Sequence, residues 1–122
     1  MDGQGKRARP VSGIHFQRLT FSYATWLGPS GNDGYVADQS GYLLLREGHR
    51  PNVIGHDQNV VRTPGNVRFR FAHRIEFNAN IFEHLGGAAL DFDTGSQGNM
   101  IVDNLFEDIS SAAIQLGWGF HR

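Results

Sequence analysis

The chain has 122 residues, the length of one ordinary domain, and 39% of them are apolar, which is normal for a globular protein. Its 11 basic and 12 acidic side chains and its lack of cysteine argue against a basic nucleic-acid surface, a disulfide framework and a thiolate metal site. No apolar run is long enough to cross a membrane, and none follows the basic start as in a signal peptide.

The first part of the chain predicts a linker followed by short strands. Residues 1–12 are rich in glycine and charge and are expected to form a linking or disordered lead-in. Within residues 13–24, apolar and polar side chains alternate in two short runs, which is typical of strands with one buried face.

Two polar segments then interrupt the pattern. Residues 25–40 and 46–59 contain the Gly, Pro, Asn and Asp that favour loops, and an apolar run at 41–45 predicts a strand between them. Residues 63–66 read as a turn with proline at its second position, and residues 67–71 alternate strictly, as in a strand.

The rest of the chain is an internal repeat. Residues 74–97 and 98–120 match at an offset of 24 positions, which places Phe82 on Phe106 and Asn80 on Asn104. A more distant copy begins near residue 13, at an offset of 61. Repeats of this length indicate small units that bury their apolar face only against neighbouring units.

Each repeat is predicted to hold three short strands, so the fold expected is all-β, a parallel β-helix of about four rungs over residues 13–122. In-register stacking should place like residues about 4.8 Å apart and let asparagine amides form a ladder. The three strands are expected at 75–78, 80–83 and 88–92, and again at 100–103, 104–107 and 112–116. The predicted interior comprises Phe77, Phe82, Leu85, Leu90, Phe92, Ile101, Phe106, Ile109, Ile114 and Leu116.

Two stretches carry a family resemblance. The sequences FEHLGGAALDFDTGSQ at 82–97 and LTFSYATW at 19–26 resemble right-handed parallel β-helix repeat proteins of the pectate-lyase-like superfamily, including bacterial putative glycoside hydrolases. The resemblance implies a right-handed, carbohydrate-active solenoid in the extracellular or periplasmic space. The paired aspartates, the Gly-His-Gly motif and the Arg-x-Lys motif of the polygalacturonase branch are missing, so those catalytic assignments do not transfer.

Asp91 and Asp93 are the first candidate site. Leu90 and Phe92 are expected to face the core, which would turn both carboxylates outward on one strand. Outward residues at i and i+2 have Cα atoms about 6.5–7 Å apart, within the separation of about 6.5–9.5 Å found between the carboxyls of inverting glycosidases. The alternatives are a divalent-cation site, for example for calcium shared with a uronate, and a pair of solvated surface charges.

A polar strip beside that pair is the second candidate. If Phe71 stacks on Phe92, Arg70 and Gln115 flank Asp91 on neighbouring rungs. An Arg–Asp–Gln strip suits sugar hydroxyls and carboxylates because arginine offers a planar fork of donors. The alternative is a weak surface ion pair.

The 25–40 loop is the third candidate. Trp26 and Tyr35 could stack on sugar rings while Asp33 and Asp38 bind hydroxyls, since long loops on regular scaffolds often carry function. The alternative is a loop whose aromatic side chains pack on the solenoid.

The remaining polar residues predict no metal or cofactor. The six histidines lack ligand spacing, and no phosphate-binding loop or nucleophile elbow is present. Glu83 with His84, and Glu107 with Asp108, occupy equivalent repeat positions near a bend and are expected to be solvated surface.

Together these features predict part of a carbohydrate-active β-helix protein. A hydrolase is expected rather than a lyase, because the chain has few of the acidic residues that a calcium-dependent lyase needs. The alternative is a non-catalytic module for glycan binding or structural extension. Carbohydrate is the expected partner, with no nucleic acid and no membrane. The sequence shows no capping helix, so the chain is expected to be a fragment that pairs with the remaining rungs of a parent chain or end to end with itself. The alternative is a small protein capped by its own loops or by dimerisation.

Overall fold

The computed structural model describes residues 1–28, 37–38, 41–42 and 63–117. Over these residues the protein is all-β, with fourteen strands and no α-helix. No helix in this part of the chain is long and apolar enough to cross a membrane. The strands are β1 Asp2–Gln4, β2 Val11–Ser12, β3 His15–Gln17, β4 Thr20–Ala24, β5 Ala37–Asp38, β6 Gly41–Tyr42, β7 Gly65–Arg70, β8 Ala72–His73, β9 Glu76–Asn78, β10 Ile81–Leu85, β11 Ala88–Phe92, β12 Met100–Val102, β13 Leu105–Ile109 and β14 Ile114–Leu116.

The strands form parallel sheets in which consecutive copies of the repeat are neighbours. The sheet orders are β1-β7-β11-β14, β13-β10-β4, β12-β9-β3 and β2-β8, and the short β5-β6 pair is antiparallel. The first copy therefore comprises β1 to β4, the second β7 to β10 and the third β11 to β13, and β14 continues the first sheet. These names are used below.

The register of the sheets confirms both repeat offsets. Phe82 lies opposite Phe106 on one side and opposite Phe21 on the other. Phe77 likewise pairs with Phe16. The sheet formed by β7 and β11 differs, because Phe92 lies opposite Phe69, one residue short of the 24-residue step found elsewhere.

The core is a set of stacked phenylalanine rings. Ring centroids are 4.7 Å apart for Phe21 and Phe82 and 4.8 Å apart for Phe82 and Phe106, with the rings nearly parallel. The neighbouring column of Phe16 and Phe77 has a separation of 4.6 Å. These distances match the spacing between paired strands, about 4.7–4.9 Å. Register therefore determines which rings meet.

A second column is formed by asparagine side chains, and the predicted ladder is confirmed. Asn80 is 1% exposed, and its Nδ2 donates to Asn104 Oδ1 over 2.9 Å. Asn80 Oδ1 accepts from the backbone N–H of Leu19 at 3.0 Å, and Asn104 Oδ1 accepts from that of Asn80 at 2.9 Å. Each amide thus satisfies a buried donor of the preceding copy, which an apolar residue could not do.

The bends between strands are stacked in register too. Tyr23, His84 and Asp108 have φ of 61°, 52° and 50°, and the column of Arg18, Ala79 and Asp103 has φ of 54° at each residue. A single left-handed residue turns the chain sharply without breaking the pairing on either side. The corners of all three copies therefore share one backbone conformation.

The predicted interior is confirmed for its central part. Phe77, Phe82, Leu85, Leu90 and Phe92 are buried, and Ile101, Phe106 and Ile109 pack partly buried against them. Ile114 and Leu116 are 37% and 73% exposed, so their predicted burial is wrong for this structure. Both lie on β14, which ends its sheet in the described residues and has a neighbouring strand on one side only.

The lead-in is also corrected. Residues 2–4 pair with β7 through Asp2 opposite Arg68, and Val11 pairs with Ala72. The edge of a sheet presents unpaired N–H and C=O groups, and an extended segment in register can bond to them. These residues therefore join the sheets. Most of the predicted loop at 25–40, and the whole of that at 46–59, lie outside the described residues.

Candidate functional site

The candidate site lies where β7 and β11 pair. Along β7, Val67 and Phe69 are buried, so Arg68 and Arg70 point to the opposite face, as the two-residue period of a strand requires. On the neighbouring strand Asp91 lies on that face, and Asp93 follows directly after β11 ends at Phe92.

The register of the strip differs from the sequence-based prediction. Arg68, not Arg70, lies opposite Asp91, because Phe92 stacks on Phe69 rather than on Phe71. The predicted position of Gln115 opposite Asp91 is confirmed. Its amide Nε2 donates to the carbonyl of Thr63 over 3.0 Å, so this side chain is engaged within the protein.

Both aspartates are buried, which corrects the expectation that they face solvent. Asp91 is 1% exposed and Asp93 is 2% exposed. Every residue of β11 is buried, so the face opposite the phenylalanine core is covered as well. The backbone packs closely here, since a Cβ added at Gly65 would lie 2.4 Å from Asp91 Cβ. Alternation shows which face a side chain occupies, but it does not show whether that face is open.

Asp93 is held on both carboxylate oxygens. Oδ2 accepts hydrogen bonds from Nη2 of Arg68 and from Nη2 of Arg70, the latter at 3.1 Å. Oδ1 accepts from the backbone N–H of Thr94 at 2.6 Å and from its hydroxyl at 3.1 Å. Asp91 Oδ2 lies 3.7 Å from Nε of Arg68, so this one guanidinium bridges the two carboxylates.

The electrostatics of the site follow from these contacts. Burial alone would raise the pKa of Asp93, but the hydrogen bonds from Arg68 and Thr94 and the charge of Arg68 outweigh it and hold that pKa well below its usual range. The hydrogen bond to Asp93 raises the pKa of Arg68 against the opposing effect of burial. Asp93 is therefore an ionised, paired carboxylate at neutral pH.

This arrangement limits what the pair can do chemically. A glycosidase needs one carboxylic acid with a raised pKa to protonate the leaving group. Asp93 has the opposite shift, and its lone pairs are occupied by donors. The cluster as it stands stabilises the junction of the two strands and offers two partly exposed arginines, whose side chains are 38% and 47% exposed, to solvent.

Of the residues predicted on the 25–40 loop, the structure describes Trp26 and Asp38. Trp26 is partly buried and packs against Gly86, where an added Cβ would clash with the backbone nitrogen of Trp26. Asp38 belongs to the short β5-β6 pair. Asp33 and Tyr35 lie outside the described residues, so their proposed role stays a prediction.

Two residues of the cluster escaped sequence reasoning. Arg68 is missed because the prediction stacks Phe71 on Phe92, which places Arg70 opposite Asp91, whereas β7 pairs with β11 through Phe69 and Phe92. Thr94 carried a weak signal, since an Asp followed by Thr and Gly is typical of a turn in which the aspartate binds a nearby backbone N–H.

In the parts of the chain that the structure describes, no three His, Asp or Glu side chains are close enough to hold a metal ion. Comparison of the chain with protein families, with curated proteins and with solved structures finds no match.

Proposed function

We propose that this chain is a segment of a right-handed parallel β-helix in a carbohydrate-active protein, and that it binds glycan without cleaving it. In-register parallel sheets, stacked phenylalanines and the asparagine ladder support a solenoid, since all three need equal copies laid one on another. Carbohydrate as the ligand class, and an extracellular or periplasmic location, come from the family resemblance.

The state of Asp93 favours binding over hydrolysis. Its carboxylate is buried, ionised and saturated by Arg68, Arg70 and Thr94, so it has no proton to donate and no free lone pair to accept one. The exposed parts of the two arginines remain available to hydroxyl or carboxylate oxygens of a glycan.

A glycoside hydrolase is the second candidate. Asp91 and Asp93 lie at i and i+2 beside two arginines. The distance of about 6.5–7 Å expected between their Cα atoms matches the carboxyl separation of inverting enzymes. This function would require ligand binding to draw Arg68 away from Asp93. Such a change would return the pKa of Asp93 toward the range of a buried carboxyl.

Binding and turnover separate the two candidates. The purified chain is titrated by calorimetry with cello-oligosaccharide, chitosan oligosaccharide and oligogalacturonate, and each mixture is assayed for new reducing ends. We expect binding of at least one probe without product. Product formation that disappears in Asp91→Asn and Asp93→Asn, but not in the exposed control Asp103→Asn, would replace the binding function with hydrolysis. Absence of binding to all three probes would contradict the proposal.

A further inference from the structure

A second cluster lies on the outer surface of the sheet formed by β4, β10 and β13. Tyr23, His84 and Asp108 occupy equivalent positions in the three copies, each one residue before the paired Ala24, Leu85 and Ile109. The Tyr23 residue is 79% exposed, and side chains of His84 and Asp108 are 45% and 70% exposed. The three side chains form a continuous surface column, named here the tyrosine column.

The tyrosine column is ordered by its own contacts. The rings of Tyr23 and His84 are stacked, with centroids 5.3 Å apart and planes 25° from parallel. On its other side His84 Nδ1 makes a 2.7 Å hydrogen bond with Asp108 Oδ2. That hydrogen bond, opposed by burial and helped by the charges of Asp108, Glu83 and Glu107, raises the pKa of His84.

One face of the Tyr23 ring stays open. His84 covers the face toward β10, and β4 is an edge strand of its sheet within the described residues. The opposite ring face therefore points away from the other strands of that sheet, consistent with the high exposure of the residue. A large aromatic ring fixed from one side and bare on the other is a rigid stacking surface that loses little entropy on binding.

We propose that the tyrosine column is a carbohydrate-binding site for a sugar that carries no carboxylate, an inference that rests on the proposed glycan-binding function. The C–H face of a pyranose is electropositive and matches the negative face of the Tyr23 ring. His84 stacks on the opposite face of the ring and is itself held by Asp108, so the Tyr23 ring is fixed before the sugar arrives.

The charges around the column determine the sugar class. Glu83 and Glu107 lie directly opposite each other in the adjacent column, next to His84 and Asp108. Their negative charge repels an acidic sugar, attracts the ammonium group of an amino sugar and tolerates a neutral one. The tyrosine column is therefore distinct in selectivity from the arginine face of β7, which suits anionic sugars.

The test measures the affinity of the purified chain for cello-oligosaccharide and chitosan oligosaccharide, with oligogalacturonate as the acidic probe. Tyr23→Ala should weaken binding of the first two about 5- to 10-fold, the scale of one lost aromatic contact. Tyr23→Phe should retain binding, because the ring face is what the sugar contacts. Leu27→Ala is the matched control, since Leu27 is 74% exposed and lies outside the column. Thermal melts of all variants show that they remain folded.

The outcomes separate this site from the general function. Binding of a neutral or amino sugar that Tyr23→Ala weakens and Leu27→Ala does not would support the site. Sugar binding that is unchanged in Tyr23→Ala would overturn the site and leave the proposed function standing. Tighter binding of oligogalacturonate, lost in Tyr23→Ala, would overturn the sugar class. Failure of all three probes to bind would overturn both proposals.

Discussion

At Asp93, burial and ion pairing act in opposite directions on one carboxylate. The residue is 2% exposed, which alone would favour the neutral acid, yet it accepts hydrogen bonds from two arginines and from Thr94. The arginine side chains are partly exposed, so solvent screens their charge and the cluster contributes less than a fully buried ion pair. The direct hydrogen bonds to the ionised form decide the balance.

This balance predicts how stability depends on pH. Because the pKa of Asp93 is lower in the folded chain than the unfolded value of about 3.9, its contribution is complete above that value and is lost as the pH falls toward the folded pKa. Asp93→Asn should lower the free energy of unfolding by about 2–3 kcal/mol near neutral pH. The difference from the wild type should shrink below about pH 4.

Urea denaturation of both proteins across this pH range measures the effect. Glu107→Gln, at an exposed carboxylate, is the control and should differ from the wild type by less than about 0.5 kcal/mol. A gap between Asp93→Asn and the wild type that stays constant down to about pH 2 would show that Asp93 is not stabilised as the ion.

At the scale of the elements, the asparagine ladder joins the bends of successive copies. Asn80 supplies the acceptor for the backbone N–H of Leu19, and Asn104 supplies that for Asn80. The first copy has leucine at this position, so Leu19 donates its backbone N–H to Asn80, and its side chain offers no acceptor to continue the ladder. The ladder therefore runs from the third copy toward the first.

Removing one amide should break the ladder at that step. Asn80→Ala removes a buried amide and leaves the partly buried N–H of Leu19 without its acceptor, which should cost about 1–3 kcal/mol of unfolding free energy. Asn78→Ala is the control, because Asn78 donates to Glu76 in a less buried place and should cost less than about 0.5 kcal/mol.

Amide hydrogen exchange localises the effect. In Asn80→Ala the amide of Leu19 should exchange faster than in the wild type, whereas the amides of β12 and β13 should change less. Equal exchange of the Leu19 amide in both proteins would show that water or another group replaces the asparagine.

At the scale of the whole molecule, the parallel sheets present strand edges and apolar side chains in the described part of the chain. Met100, Leu105 and Leu116 are 53%, 52% and 73% exposed, and they lie on β12, β13 and β14, which each end a sheet there. Edge strands with exposed apolar residues pair readily with other chains. Such pairing would cover Leu116 in the way that β14 helps to cover Phe92, its buried equivalent in the preceding copy.

We therefore expect the isolated chain to be marginally stable and to associate end to end as its concentration rises. Leu116→Lys should reduce this association because it places a charge at the sheet edge, with little effect on stability since the residue is exposed. Leu27→Lys, at an equally exposed residue outside the strands, should not reduce it. Light scattering over a concentration series measures the association, and a cooperative monomer at all concentrations would contradict it.

The sequence by itself determined the all-β class, the parallel strands and the columns of like residues. Phe82 on Phe106 and Asn80 on Asn104 could be predicted because parallel strands pair in register, so equal spacing along the chain becomes contact in space. The buried central phenylalanines follow from the same rule, since each repeat alternates apolar and polar residues.

Only the tertiary structure decided the candidate sites. Arg68 meets Asp91 because β7 and β11 pair one residue short of the regular step, and the bend after β11 is one residue longer than the bend after β7. The burial of Asp91 and Asp93 goes with contacts to β7, where Gly65 lies close to Asp91 and the Arg68 guanidinium contacts both carboxylates. The tyrosine column required both repeat offsets at once, since Tyr23 belongs to the first copy and its partners to the second and third.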